Sequence, residues 1–381
     1  MVTGYKFLFM PQSLNGLVEL AARRGIRGAS FIPVPPAEKL EKLTTLYSLT
    51  KIDNLNIFRR GLFLSDEEEE FDVIIVGGGP AGLNAAIMCD TRHLKVLLLE
   101  KDKLGGLLAS LYPTKTIPNY PGFPEISAIE LVRNWLANLR FSGVTVKKET
   151  ALGMTDDLAV TTNRKTYRTK VVVIATGAKP RRLGLPNEER FSKDDRGVYY
   201  FPSHKKAFLG KRVVVVGGGD TAIDATLELL NLAKEITLVH RKEGFRAFDT
   251  NVDTVKRSGL VDFVMKGEVK AIEGEDRVEG VVIQQQQKVF RKDADAVIIS
   301  IGLVPEDSFF KDFDIKRDER GFIVTDQAQR TSVEGVFAIG DVVQGGLRLI
   351  TVAAAHGAIA SHHIYSYVRR PYWTREKWPK I

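Results

Sequence analysis

One pattern constrains this chain more than any other. An apolar strand runs into a glycine-rich turn and then a helix, and the sequence does this twice. The first copy is "FDVIIVGGGPAGLNAAIMCDTRHLKVLLLEK", residues 71–101. It reads as strand, turn, helix and second strand, and the second strand ends on an acid, Glu100. Gly77, Gly79 and Gly82 stand in GxGxxG spacing, and Pro80 and Ala81 open the helix. In such a turn the first glycine permits the bend, the second lets backbone approach a pyrophosphate, and the third lets helix and strand pack closely. The helix-start amides then face an anion, and the terminal acid accepts from ribose hydroxyls. A purely structural glycine turn would leave Glu100 unexplained.

The second copy is "KRVVVVGGGDTAIDATLELLNLAKEITLVHRKEGFRA", with Gly217, Gly219 and Ala222 in the three small positions and Asp220 and Thr221 between them. Its second strand ends in His240-Arg241-Lys242, with Arg246 four residues beyond Lys242. An acid there would favour the unphosphorylated ribose of NADH. Cations reverse the preference, because a guanidinium can fork a phosphate. The first site therefore suits an unphosphorylated adenosine ribose and the second suits NADPH; a solvated basic loop is the plainer alternative for the three cations. Two nucleotide sites in one chain point to a flavoprotein that exchanges hydride with NADPH.

Three later segments fit. "VVVIATGAKPRR" closes a half-domain with a strand and the turn Ala175-Thr176-Gly177. "GVFAIGDVV" places Gly340 and Asp341 after a strand. "RLITVAAAHGAIASHHIYSYV" predicts a long apolar helix from about Thr351, with Ile350 and Thr351 at the end where negative charge on a reduced ring is stabilised.

The 381 residues suffice for two domains and an extra piece. No apolar run reaches the roughly 18 residues of a membrane span, and "FLFM" is too short for a secretory core. The lone cysteine, Cys89, excludes an internal disulfide, a CxxC pair and a multi-cysteine metal centre. It falls in a predicted helix, where a buried apolar role is expected; no metal site and a cytoplasmic location follow. The net charge is +8, yet residues 1–70 hold nine Lys/Arg against nine Asp/Glu, so the excess lies in 71–381. Without a basic stripe interleaved with aromatics, nucleic acid is not expected; solubility or an acidic protein partner is.

Residues 71–381 resemble the two-domain flavoprotein reductases of the thioredoxin reductase group. The resemblance rests on "GGGPAGL", "IPNYPG", "ATGAKP", "GGGDTA", "HRKEGFRA" and "AIGD". It implies an α/β fold of two Rossmann-like domains, with the NADPH domain inserted into the FAD domain. The expected pieces are 1–70, an extension of unknown role; 71–186, first FAD half; 187–305, NADPH domain; and 306–381, second FAD half with the tail. The crossings fall near Leu183–Glu189 and Gly302–Ser308. FAD and NADPH are the implied cofactors, and a homodimer the implied assembly. Lys101, Gly106, Leu107, Asn119, Val146, Thr176 and Gly177 join the cofactor-binding set on this ground.

One segment departs from that group. In "DRGVYYFPSH" the two redox cysteines would stand at Phe201 and His204. Thiol–disulfide exchange needs a thiolate, and neither residue supplies one; His204 is read as a surface or packing residue. Electrons must leave another way, and the chain resembles the thioredoxin-reductase-like ferredoxin–NADP reductases, where a tyrosine stacks on the flavin. Here that tyrosine is Tyr112, in "GGLLASLYPTKTIPNYPGFP", with core packing as its alternative. The tail "RRPYWTREKWPKI" offers Tyr372, Trp373 and Trp378 as covers for the other ring face, or as anchors to a second subunit. The expected partner is ferredoxin or another small acidic iron–sulfur protein. An NAD(P)H oxidase or diaphorase, and a non-catalytic flavin-bound redox sensor, are the rival readings.

Overall fold

The computed structural model describes residues 69–203, 205–345, 347–370 and Trp378. The extension before residue 69, His204, Tyr372 and Trp373 lie outside the described residues.

The chain enters on β1 (Glu70–Val76), turns into α1 (Pro80–Asp90) and returns as β2 (Val96–Glu100). Proline at the first helical position suits a start whose N–H would be unpaired anyway. Next come α2 (Leu107–Ser110), a short ladder of β3 (Thr116–Ile117) with β4 (Ile126–Ser127), and α3 (Ala128–Arg140). Ser127 and Glu130 form a reciprocal capping box that starts α3. The strands β5 (Thr145–Lys148), β6 (Ala151–Met154), β7 (Ala159–Thr162) and β8 (Thr166–Ile174) complete most of a seven-stranded sheet ordered β5-β2-β1-β8-β7-β6.

At β9 (Ala178–Pro180) the chain leaves this sheet. The helix α4 (Glu188–Phe191) leads to a five-stranded all-parallel sheet of β10 (Val198–Tyr199), β11 (Arg212–Gly217), β12 (Glu235–His240), β13 (Val261–Met265) and β17 (Ala296–Ser300). Helices α5 (Asp220–Leu229) and α6 (Asp249–Arg257) lie between its strands in sequence, and an antiparallel meander of β14 (Gly267–Glu273), β15 (Gly280–Gln285) and β16 (Lys288–Asp293) is attached. The chain returns on β18 (Leu303–Pro305), which pairs antiparallel with β9. The outgoing and returning crossings are therefore one two-stranded ladder. β19 (Val336–Ala338) then adds to β8, and α7 (Ile350–Arg369) closes the fold.

The core explains the near-continuous apolar runs. In β1, Val73 and Ile75 pack toward α1 and α7, while Ile74 and Val76 pack into a separate cluster with Phe309, Phe310 and Ile323. A parallel strand covered on both faces has no polar side to show. α7 crosses α1 closely: a Cβ on Gly357 would lie 2.6 Å from the Ala81 carbonyl oxygen. The second sheet has its own two clusters, one around Val214 and Val297 and the other around Val215 and Ile298. Cys89 is fully buried in α1, and burial pushes its thiol up to about 12. Among the described residues no helix is long and apolar enough to cross a membrane.

Candidate functional site

A cleft of about 820 Å³ opens at the carboxyl ends of β1 and β8. The first glycine turn forms its floor, and the geometry is one a side chain would destroy. Gly77 has φ +110°, and a Cβ there would sit 2.3 Å from the Ala175 carbonyl oxygen. A Cβ on Gly82 would sit 2.0 Å from the Gly77 oxygen. Gly106, at φ +58°, brings its own backbone against that of Gly79. Glu100 braces the turn: one carboxylate oxygen accepts from Gly78 N at 2.7 Å and the other from Asp102 N at 2.8 Å. Each oxygen keeps a lone pair, so Glu100 can still accept a ribose hydroxyl.

Gly77, Gly79, Pro80, Ala81, Glu100, Lys101, Gly106, Leu107, Tyr112, Asn119, Thr176, Gly177, Gly340, Asp341, Ile350 and Thr351 all line this cleft. Gly82 lies just behind it, inside the packing of helix on strand. Thr176 donates through Oγ1 to the Glu306 carbonyl at 2.7 Å. The Glu306 carboxylate receives Lys101 and Lys179 at 3.3 Å each. Burial pushes that carboxyl up, but the Ser308 hydrogen bond and the two lysines outweigh it and hold it below its usual value.

Val146 needs correcting as a cofactor-binding residue. It sits mid-strand in β5, on the sheet edge, 39% exposed and outside the cleft. The chain reaches the cleft only at Glu149, Thr150 and Ala151, where the strand ends and turns across the site. Trp378 is no lid on this cleft either. Its ring packs edge-on against Phe337 and Tyr367, and its indole N–H donates to the Thr331 carbonyl at 3.0 Å.

Tyr112 is where the two sheets meet. Burial, reinforced by the Asp341 carboxylate, pushes its phenol up to about 12. Phe201 is 3% exposed and packs edge-on against Tyr112, with centroids 4.6 Å apart at 73°. The Lys115 ammonium lies 5.9 Å from the Tyr112 ring and 5.5 Å from that of Phe201, and 3.5 Å from Asp224 on α5. Ser203 Oγ donates to the Leu111 carbonyl, and Thr114 Oγ1 donates to the Ser203 carbonyl at 3.1 Å. The place where a disulfide reductase would carry cysteine is thus filled by a buried phenyl ring.

The second turn repeats the first. Gly217 has φ +150°, and a Cβ would meet the Ser300 carbonyl oxygen at 2.2 Å. Gly219 caps α5 without side-chain help, Ala222 is buried beneath it, and Thr221 reaches the cleft wall. Asp220 is engaged elsewhere, accepting from Phe248 N at 3.0 Å. The His240 ring fills the space over Gly218, where a Cβ would come within 2.2 Å of it. It stacks on Phe245 at 5.4 Å and 19°, and its Nε2 lies 3.1 Å from the Gly244 carbonyl. Burial, then Arg246, Arg241 and Lys242, depress its pKa. Arg246 N donates to the Gly218 carbonyl at 2.8 Å, which ties the basic loop to the turn. Arg241, Lys242 and Arg246 are exposed, and no ion pair engages them among the described residues. The Ser300 hydroxyl is buried beside Gly217 without a partner.

These features fit two dinucleotides. Each turn offers backbone where only glycine fits, one adenosine end carries an acid and the other carries unpaired cations. Sequence reasoning did not name Lys115, Thr150, Asp224 or Arg348 in the cleft wall. None belongs to a motif; each arrives through folding of distant segments. Among the described residues no group of three or more His, Cys, Asp or Glu is placed to hold a metal.

Known proteins agree with this arrangement. The chain is 36% identical over 312 residues to a ferredoxin–NADP reductase of Thermus thermophilus, covering 78% of this chain and 92% of that one. It is 34% identical over 310 residues to a 34.2 kDa protein in the rubredoxin operon of Clostridium pasteurianum, covering 79% and 98%. The crystal structure of Lactococcus lactis thioredoxin reductase in its FR conformation superposes with a TM-score of 0.73 at 33% identity, over 79% of this chain and all of that one. The model of the pyridine nucleotide-disulphide oxidoreductases matches residues 71–357, and the chain belongs to that family.

Proposed function

We propose that this FAD- and NADPH-dependent oxidoreductase exchanges electrons between NADPH and a small acidic iron–sulfur protein, ferredoxin, with no disulfide chemistry. The observation that carries the reading is Phe201. The position suited to a redox cysteine holds a buried ring, and the chain's one thiol is sealed in α1 and stays protonated. The likeness to a ferredoxin–NADP reductase supports it.

FAD, when bound, supplies two-electron acceptance and one-electron release. The chain's residues hold and orient. The Gly77–Gly82 turn and the start of α1 receive the pyrophosphate, and Glu100 the adenosine ribose. Asp341 and the start of α7 would hold the polar end of the ring system, and Tyr112 would cover the ring. Gly217, Gly219 and Thr221 take the second pyrophosphate, and Arg241, Lys242 and Arg246 the 2′-phosphate. Positioning does most of the work, and no side-chain acid or base is required. Residues 71–186 and 306–381 make the FAD module and 187–305 the NADPH module. A cytoplasmic homodimer is the expected form, checked by light scattering.

The experiment compares NADPH-driven reduction of ferredoxin with that of thioredoxin plus DTNB. Ferredoxin is expected to be far the better acceptor. Its rate should fall steeply with salt, since screening lengths shrink from about 10 Å at 0.1 M to about 3 Å at 1 M. A small neutral quinone should be indifferent to salt. A thioredoxin rate above the ferredoxin rate, or a quinone rate above both, would sink the reading.

A further inference from the structure

We infer that His356 is a positioning residue for the flavin end of the first cleft: its Nδ1 accepts the Gly340 N–H and holds the Gly340–Asp341 turn in place, and protonation of the ring releases it. This rests on reading that cleft as the FAD site.

The turn is tightly built. Gly340 is buried at φ +75°, and a Cβ there would lie 2.8 Å from Ala81 Cβ on α1 and 4.0 Å from Ala353 Cβ on α7. Its N–H donates to His356 Nδ1, one turn further along α7 than Ala353, at 3.2 Å. Gly340 and Asp341 line the cleft, so the histidine stands behind the wall that the flavin would touch. A small cavity behind the turn is lined by His356, Asp341, Arg348, Leu347 and Val352.

An imidazole that accepts at Nδ1 carries its proton on Nε2. A second proton, on Nδ1, turns the acceptor into a donor facing a donor, and a buried N–H is left unpaired. The charged groups that line the small cavity together with the ring are Asp341 and Arg348. α1 bears no charge between Pro80 and Cys89, and the β8 cations Arg168 and Lys170 are paired with Asp157 and Asp72. Burial alone depresses the His356 pKa. Flavin loading needs the turn held by the neutral ring and so favours the unprotonated form further, which makes binding fully supported at the alkaline end and weakens it as pH falls below the ordinary value of about 6.5.

The test is FAD titration of the full chain after flavin removal, read by flavin fluorescence from about pH 5 to pH 8 around the ordinary histidine value. The native chain should lose up to about tenfold in affinity per pH unit on the acid side. His356→Asn, whose amide oxygen can accept the same N–H but does not titrate, should be flat. His356→Ala should bind about tenfold more weakly at the alkaline end, and also be flat. His356→Gln repeats the Asn arm should that variant not fold. An Asn or Gln variant with the native acid slope, or an Ala variant that binds as tightly as native, overturns the inference. No FAD uptake by the native chain at the alkaline end would instead remove the cleft reading, and the inference with it.

Discussion

Replacing Phe201 with alanine separates what holds each sheet together from what holds one against the other. Phe201 is 3% exposed, so its removal should cost in the range of core Phe→Ala changes, about 3–5 kcal/mol. Part of that belongs to one contact. An edge-on aromatic pair at 4.6 Å contributes about 0.5–1.5 kcal/mol beyond area burial, and a cation 5.5 Å from the ring adds about 0.5–1 kcal/mol. Each sheet has its own apolar clusters, so this part bears on docking of the 199–203 segment against the Tyr112 cleft. A double-mutant cycle isolates it. Phe201→Ala, Tyr112→Ala and the double variant are unfolded in urea with FAD bound, with the slope checked for constancy. The coupling should be about 0.5–1.5 kcal/mol. A second cycle with Lys115→Met should return a smaller coupling of the same sign. Additivity of Phe201 and Tyr112 within about 0.3 kcal/mol would refute the packed junction.

Three further outcomes follow from the same geometry. Arg241→Glu should cost NADPH kcat/KM about one to two decades while sparing NADH, because a charge-assisted bond to phosphate is worth about 1.5–3 kcal/mol, and reversing Lys242 and Arg246 as well should cost more; an unchanged ratio in the triple variant counts against the assignment. Gly218→Ala puts a Cβ within 2.2 Å of the His240 ring, so it should weaken nicotinamide-nucleotide binding while leaving FAD content intact, as equilibrium dialysis would reveal. Cys89, with its thiol pushed up to about 12, is the protonated thiol at every working pH, so native protein should resist iodoacetamide and urea-unfolded protein should react quickly; rapid native labelling would mean α1 opens.

Much of the site was legible in the sequence because its determinants are local. Gly77 and Gly82 meet within one strand–turn–helix unit, and the demand that each lack a side chain is set by neighbours a few residues away or on the adjoining strand. Glu100, at the end of the next strand, lines the same cleft for the same reason. A strand covered on both faces must be apolar at every position, and that texture survives in a linear string.

What only tertiary structure decided are the pairings between segments that no short-range rule connects. Thr114 meets Ser203 across 89 residues, and Thr176 meets Glu306 across 130. Val146 was placed in the cleft by resemblance, but the strand carries it to an exposed edge and delivers Glu149–Ala151 instead. Trp378 packs edge-on against Phe337 and Tyr367, residues 41 and 11 positions before it in the chain. His356 carried no motif at all, and its partner is a backbone N–H that no residue code records. The physical reason is common to all five. Local pattern specifies an element and which of its faces is buried, whereas the identity of the group opposite depends on how separately encoded elements pack.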